Sequence, residues 1–326
     1  MDQASKFPQF YADPDNWVVY GPDANCTLAL CPVTAGVYQY RPSIAANVVF
    51  LVLFGIAMII HAAQGLKYRT FTFGSLMVIG CISEILGYGG RILLWQNPFS
   101  FNGFLLQINT TQETRITLTW KGMAIVCITF GPVWYTAAIY FTLSKIVIYL
   151  GPHYARFPPK FYYWVFIPCD ILSLVLQAVG GALSSTSSGG SRTAVDVSIV
   201  GLSWQVFTLC VFIALSLEFA WRYTRARDAS RRVLPTKFKC FVGFLSLAIL
   251  LILIRCVYRI DELSDGYSGP LIHDEGLFIG LEGVMVIVAA YCLSIAHPGP
   301  VFGWPKNEAS GPEDLGVNNA RKTESA

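Results

Sequence analysis

Residues 44–63, IAANVVFLVLFGIAMIIHAA, run for twenty positions without an aspartate, glutamate, lysine or arginine. As a helix, such a run is about 30 Å long, the thickness of a bilayer's hydrocarbon core. It is apolar on every side, so it has no face to offer to water. Similar runs recur at about 72–94, 121–149, 161–183, 195–219, 238–258 and 276–296, making seven in all. Charged residues make up 13% of the chain, roughly half the share of about 25% in a soluble domain. The expected fold is therefore an all-α membrane protein, a bundle of seven transmembrane helices. Residues 1–43 form an N-terminal segment, 44–297 the seven-helix domain, and 298–326 a polar tail expected to be disordered. Neither flank is long or apolar enough to build a core of its own.

Positive charge orients the bundle, because Lys and Arg collect on the cytoplasmic side. Loops one, three and five hold Lys67 and Arg69, then Arg156 and Lys160, then Arg222, Arg225, Arg227, Arg231, Arg232, Lys237 and Lys239. The opposite loops offer little beyond Arg115 and Arg192. The N-terminus is expected outside and the tail in the cytosol. The opening MDQASKFPQFYADPDNWVVYGPDANC has no basic start followed by an apolar stretch, so the first span is expected to direct insertion. Asn25 and Asn109 each open a glycosylation acceptor pattern on the side assigned as external. Most of the nine cysteines lie in spans as small apolar residues. Cys26 and Cys31 lie in the outer segment, where they are either joined locally or left as thiols. The basic stretch 222–239 reads as a positive-inside loop, with contact to anionic inner-leaflet lipids as the sharper alternative.

An ionisable side chain in the middle of a span costs about 2.5–3.5 kcal/mol on insertion scales, so each one calls for an explanation. Glu84 and Arg91 lie in span two, Asp170 in span four, Arg255 near the end of span six and Glu282 in span seven, with Arg259, Glu262 and Glu275 near the outer boundary. Glu84 and Arg91 share a helix face but stand about 10.5 Å apart along it, too far to pair. Their partners must come from other helices. Gln177 on span four and Gln205 on span five fall at matching heights. The polar residues of several spans thus occupy the middle and outer levels, and few occupy the inner one. Two explanations remain open: a polar site inside the bundle for a lipid headgroup or another amphipathic ligand, or interhelical ion pairs that only hold the bundle together. Gly87, Gly89, Gly90, Gly180 and Gly181 permit close helix approach, and Pro132 inside span three frees a backbone carbonyl.

Several stretches taken in order resemble one family. They are EILGYGGR (Glu84 to Arg91, including Tyr88), GPVWYTAAIY in span three, Asp170 with Ser173, Gln177, Gly180 and Gly181, GLSWQ ending at Gln205, and RCVYRIDE from Arg255 followed by Asp274 to Gly276. Together they resemble the RTA-like family of fungal seven-helix proteins, also called lipid-translocating exporters, over roughly residues 36–300. The resemblance implies a plasma-membrane or other endomembrane protein linked to movement of sphingoid long-chain bases and to resistance against toxic lipophiles. Gly131 and Lys145 stand where the family pattern carries Ala and Arg, and Glu282 where Asp is more usual. The residues then expected to bind the lipid are Glu84, Tyr88, Arg91, Asp170, Gln177, Gln205, Arg255 and Glu282.

The runner-up is a seven-helix lipid-sensing receptor without transport activity. The common G-protein-coupled kind is disfavoured because span three ends YFTLSKIVIY without an acidic-Arg-aromatic triplet, and span seven ends AYCLSIAHPG without Asn-Pro-x-x-Tyr. A retinal protein is excluded because span seven has no Lys for a Schiff base. An enzyme is not expected. His61, His153, His273 and His297 are scattered rather than paired, and no metal-ligand, nucleotide or phosphate-loop spacing occurs. No cofactor, metal or nucleic-acid partner is implied; the expected partners are membrane lipids and an amphipathic lipid substrate.

Overall fold

A computed structural model describes residues 25–35, 39–96, 123–186, 192–230, 235–264 and 274–302, together with Phe7, Trp17 and Leu271. The outer loop with Asn109 and Arg115, residue His273, part of the Ser/Gly turn 184–192 and the tail beyond Phe302 lie outside the described residues. Helix α1 spans Ile44–Lys67, α2 Phe71–Gln96, α3 Met123–Leu150, α4 Pro159–Thr186, α5 Arg192–Ser230 and α6 Thr236–Ser264. Helix α7 has three parts, a turn at Glu275–Leu277, a π-helical segment Phe278–Val284 and an α-helical run Met285–Ile295. A short α8, Pro298–Phe302, follows with Pro298 and Gly299 buried, so helical structure reaches five residues into the segment expected to be disordered. Seven helices are long and apolar enough to cross a membrane.

Each helix packs on its neighbour in sequence, and α7 returns to α1, closing a ring. Helix α3 also touches α6 across the ring and is the most buried span. The outward faces carry aliphatic side chains such as Val49, Ile56, Ile59, Ile171 and Leu250. In a bilayer these face acyl chains, which are as apolar as they are.

Local chemistry explains the ends. Ser43 caps α1 through its side chain, and its backbone N–H donates to Glu275 Oε1 at 2.5 Å, joining the starts of α1 and α7. Asp274 caps α7 by accepting from the N–H groups of Gly276 and Leu277. Between α1 and α2 the chain reverses in three residues, with Arg69 at φ 54°. The reversal requires glycine on both sides, because a β-carbon on Gly74 would lie 3.0 Å from the α-carbon of Gly65. Helix α3 continues through Pro132.

Helix α5 corrects the sequence reading. Its 39 residues carry on to Ser230, so WRYTRARDAS is helix and not loop. The stretch is rich in Ala and Arg, free of Gly and Pro, and supported by Glu218 and Arg222 at 2.5 Å one turn apart. Glu218 also meets Arg156 of the α3–α4 connection at 3.5 Å. A helix of that length is about 58 Å long, so its basic end projects well beyond a bilayer core. Cys26 and Cys31 are joined in a disulfide under Trp17, Leu28 and Leu30, and Asn25 beside them is exposed.

Candidate functional site: a buried polar layer

All eight residues expected at the site are inside the bundle, none more than 9% exposed. The structure sorts them into two groups that meet near α6.

The first group joins α1, α2, α6 and α7. Arg255 is fully buried and is the largest such side chain. Its Nε donates to Glu282 Oε2 at 3.0 Å and its Nη2 to Glu282 Oε1, a two-toothed pair. Only such geometry offsets the loss of hydration for two buried charges. Arg259 extends the chain of charge, donating to Glu262 at 2.6 Å with its Nε 4.0 Å from Glu282. Glu282 sits in the π-helical segment, where the extra residue per turn shifts side chains round the helix. Gly283 in that segment lets the Phe50 ring approach closely.

Glu84, Tyr88 and Arg91 follow one another at successive turns of one face of α2. As the spacing predicts, Arg91 does not reach Glu84. It donates to Asn47 Oδ1 at 3.2 Å and to the Tyr40 hydroxyl at 3.1 Å, and its guanidinium lies 3.8 Å over the Phe278 ring. The Tyr88 ring packs between Phe50 and Phe54. Glu84 lies against Gly131 of α3, where a methyl group would collide with the carboxylate. Glu84, Glu282 and Arg255 are within electrostatic range of one another. Yet Glu84 Oε1 and the Tyr88 hydroxyl have no hydrogen-bond partner among the described residues. A buried polar group left so costs about 1–3 kcal/mol.

The second group joins α3, α4 and α5. Asp170 Oδ2 accepts from Tyr140 at 2.9 Å and from Thr136 at 3.1 Å, and its Oδ1 lies 3.1 Å from Thr208 Oγ1. Two turns along α4, Gln177 donates to Gln205 Oε1 at 3.0 Å. Gln177 Oε1 and Gln205 Nε2 have no partner among the described residues. Glycine brings these helices together: a β-carbon on Gly201 would lie 2.8 Å from the Ser173 carbonyl oxygen. Cys256, next to Arg255 on α6, is buried, and α3, which carries Thr136 and Tyr140, packs on α6.

Sequence reasoning missed several members. Asn47 and Tyr40 hold Arg91, and Thr136, Tyr140 and Thr208 hold Asp170. The four-residue step from Thr136 to Tyr140 and the three-residue step from Gln205 to Thr208 were the available signals. It also missed a polar knot at the opposite end of the bundle. His61 Nε2 lies 3.1 Å from the Ala290 carbonyl and 2.9 Å from Ser294 Oγ. Gln64 donates to the Ser294 carbonyl at 3.1 Å, and Thr70 lies 3.2 Å from His297 Nε2. That level is therefore not depleted of polar groups, and two of the histidines expected to be scattered sit in one knot. Their separation in sequence, more than 220 residues, hid it. Among the described residues no three His, Cys, Asp or Glu side chains converge as a metal site would need.

Fold and site together define a seven-helix integral membrane protein that encloses its polar chemistry inside the bundle. The chain belongs to the RTA1-like protein family, whose model matches residues 77–304. It is 30% identical over 296 residues to the sphingoid long-chain base transporter RSB1 of Saccharomyces cerevisiae (strain Lalvin EC1118), covering 80% of this chain and 73% of that one. It is 22% identical over 287 residues to the probable lipid transporter atnI of Emericella nidulans, covering 83% and 70%. It is 23% identical over 287 residues to the lipid-translocating exporter-like protein RTA1 of Leptosphaeria maculans, covering 82% and 52%. No solved structure matches the chain.

Proposed function

We propose that this protein translocates amphipathic lipids with a cationic amine, sphingoid long-chain bases foremost, across the plasma membrane, with its N-terminus outside and its basic helix ends in the cytosol. The observation that carries the reading is the state of Glu84. Arg255 and Glu282 pair through two hydrogen bonds, and Arg91 is held by Asn47 and Tyr40. The carboxylate of Glu84, 1% exposed, keeps an unpartnered oxygen one turn from the unpartnered hydroxyl of Tyr88. An ammonium group supplies the donors and the charge that Glu84 lacks, and a neighbouring lipid hydroxyl fits Tyr88. Gln177 and Gln205 offer one acceptor and one donor to a second hydroxyl. Arg91 and Arg255 then act by holding the layer in place. The transporter named for sphingoid long-chain bases, at 30% identity, supports the same substrate class. Such transport would contribute to tolerance of toxic lipophilic compounds.

The test is flux of a labelled sphingoid base across proteoliposomes that contain only the purified protein, beside an E84Q variant. Wild-type flux at least tenfold above E84Q, at equal folded protein, is expected. Saturable binding without flux would instead favour the sensing receptor, and neither activity would leave the polar layer as a structural element.

A further inference from the structure

The contacts around Asp170 form a hydrogen-counting problem. Thr136 Oγ1 lies 2.9 Å from the Val133 carbonyl and 3.1 Å from Asp170 Oδ2. Thr208 Oγ1 lies 2.9 Å from the Gln205 carbonyl and 3.1 Å from Asp170 Oδ1. Tyr140 makes the fifth contact, 2.9 Å from Asp170 Oδ2. Each hydroxyl carries one hydrogen, and carbonyl and carboxylate oxygens carry none. With Asp170 ionised, three hydrogens serve five contacts. A neutral acid adds a fourth hydrogen on Oδ1 and leaves only the Thr136 hydrogen shared between two acceptors. That hydrogen is donated to Thr208 Oγ1, which frees the threonine's own hydrogen for the Gln205 carbonyl.

The surroundings favour the same state. Asp170 is 2% exposed, and among the described residues it forms no ion pair. The groups that face it are Tyr140 and Thr136 from α3 and Thr208 from α5, with the Cys256 thiol of α6 nearby, all without formal charge. The nearest cation in sequence to that cysteine, Arg255, is turned to Glu282. At bilayer depth, burial away from any cation favours the neutral acid, while the three hydroxyl contacts pull the other way. Glu84 differs in having charged neighbours of both signs, Glu282 and Arg255.

We propose that Asp170 is a proton-binding site: it holds a proton in the closed bundle described here and gives it up when the α3, α4 and α5 contacts rearrange. Amine binding at Glu84 and proton binding at Asp170 then occupy different carboxylates of one layer, which suits exchange of a protonated lipid against a proton. The exchange half of the proposal rests on the lipid reading above; the proton site does not.

Two measurements separate them. Infrared difference spectra of the purified protein should show the carbonyl band of a neutral, buried carboxylic acid that is missing from D170N. T208V, which removes the acceptor of the added hydrogen, should shift that band and covers the case in which D170N fails to fold. In proteoliposomes, a gradient of two pH units should shift wild-type accumulation of a sphingoid base by about 100-fold for one-to-one exchange, after subtraction of protein-free vesicles, while D170N should ignore the gradient. Absence of the band overturns the proton site, and flux equal in wild type and D170N at every gradient overturns the exchange. A band in place with no flux in any sample would support the proton site and count against the lipid reading.

Discussion

Arg255 and Glu282 show how much one pair can decide. Both are shut away from water, so each depends on the other for its charge to be tolerated. Removing one partner leaves a buried charge alone, which costs about 3–5 kcal/mol. R255M should therefore lower the detergent unfolding midpoint sharply, and R255M combined with E282M should recover most of the loss. A functional contribution of the pair would appear in the double variant as lost flux at restored stability. Gly131 makes a second point at this scale. A methyl group there would meet the Glu84 carboxylate. G131V should cut sphingoid-base flux and cost about 1–3 kcal/mol of stability, the usual range for overpacking, whereas G131A, the residue of the family pattern, should be tolerated if the carboxylate has another place to go; flux unchanged in G131V would show that the contact does not matter. The failure of Glu84 and Arg91 to pair was legible beforehand, because helix rise alone sets their separation. What each meets instead was not legible, because Asn47, Tyr40 and Gly131 come from distant stretches of chain.

Among the elements, α4 and α5 owe their close contact to glycine. Gly180 faces Ser198 and Ala194, and Gly201 faces Ser173 and Gln177, so any β-carbon at either position forces the helices apart. G201V should weaken the Gln177 to Gln205 hydrogen bond and lower the unfolding midpoint, whereas a valine at Gly181, where a β-carbon meets nothing within 4 Å, should change it little. The sequence marked Gly180 and Gly181 alike as sites of close approach and did not single out Gly201. It also ended the fifth span at 219, because a membrane criterion stops at the first run of charge, while the helical backbone stops only where its own hydrogen bonding or a breaker ends it. The π-helical segment of α7 left no mark in composition, since FIGLEGV reads equally well as ordinary helix.

At the scale of the molecule, the number of spans was the most readable feature, because a bilayer demands about twenty apolar residues each time the chain crosses it. Orientation is an expectation that charge provides and that labelling can check. N25Q should remove a glycan and sharpen the band on a gel, and an acceptor introduced beside Tyr68, at the opposite end of the bundle, should stay unmodified. A glycan at Tyr68 and none at Asn25 would invert the assignment. The family relationship supports the substrate class proposed above, which no helix count can supply.

The contacts between the first and last spans have a mechanical consequence. Ser43 meets Glu275 at one end, Tyr291 donates to the Leu53 carbonyl at mid-height, and His61 and Gln64 meet Ser294 at the other end. Two staves riveted at top, middle and bottom behave as a single board. A barrel with one such board does not split along it. For the lipid passage proposed above, this seam is the one expected to stay shut while the wall parts elsewhere.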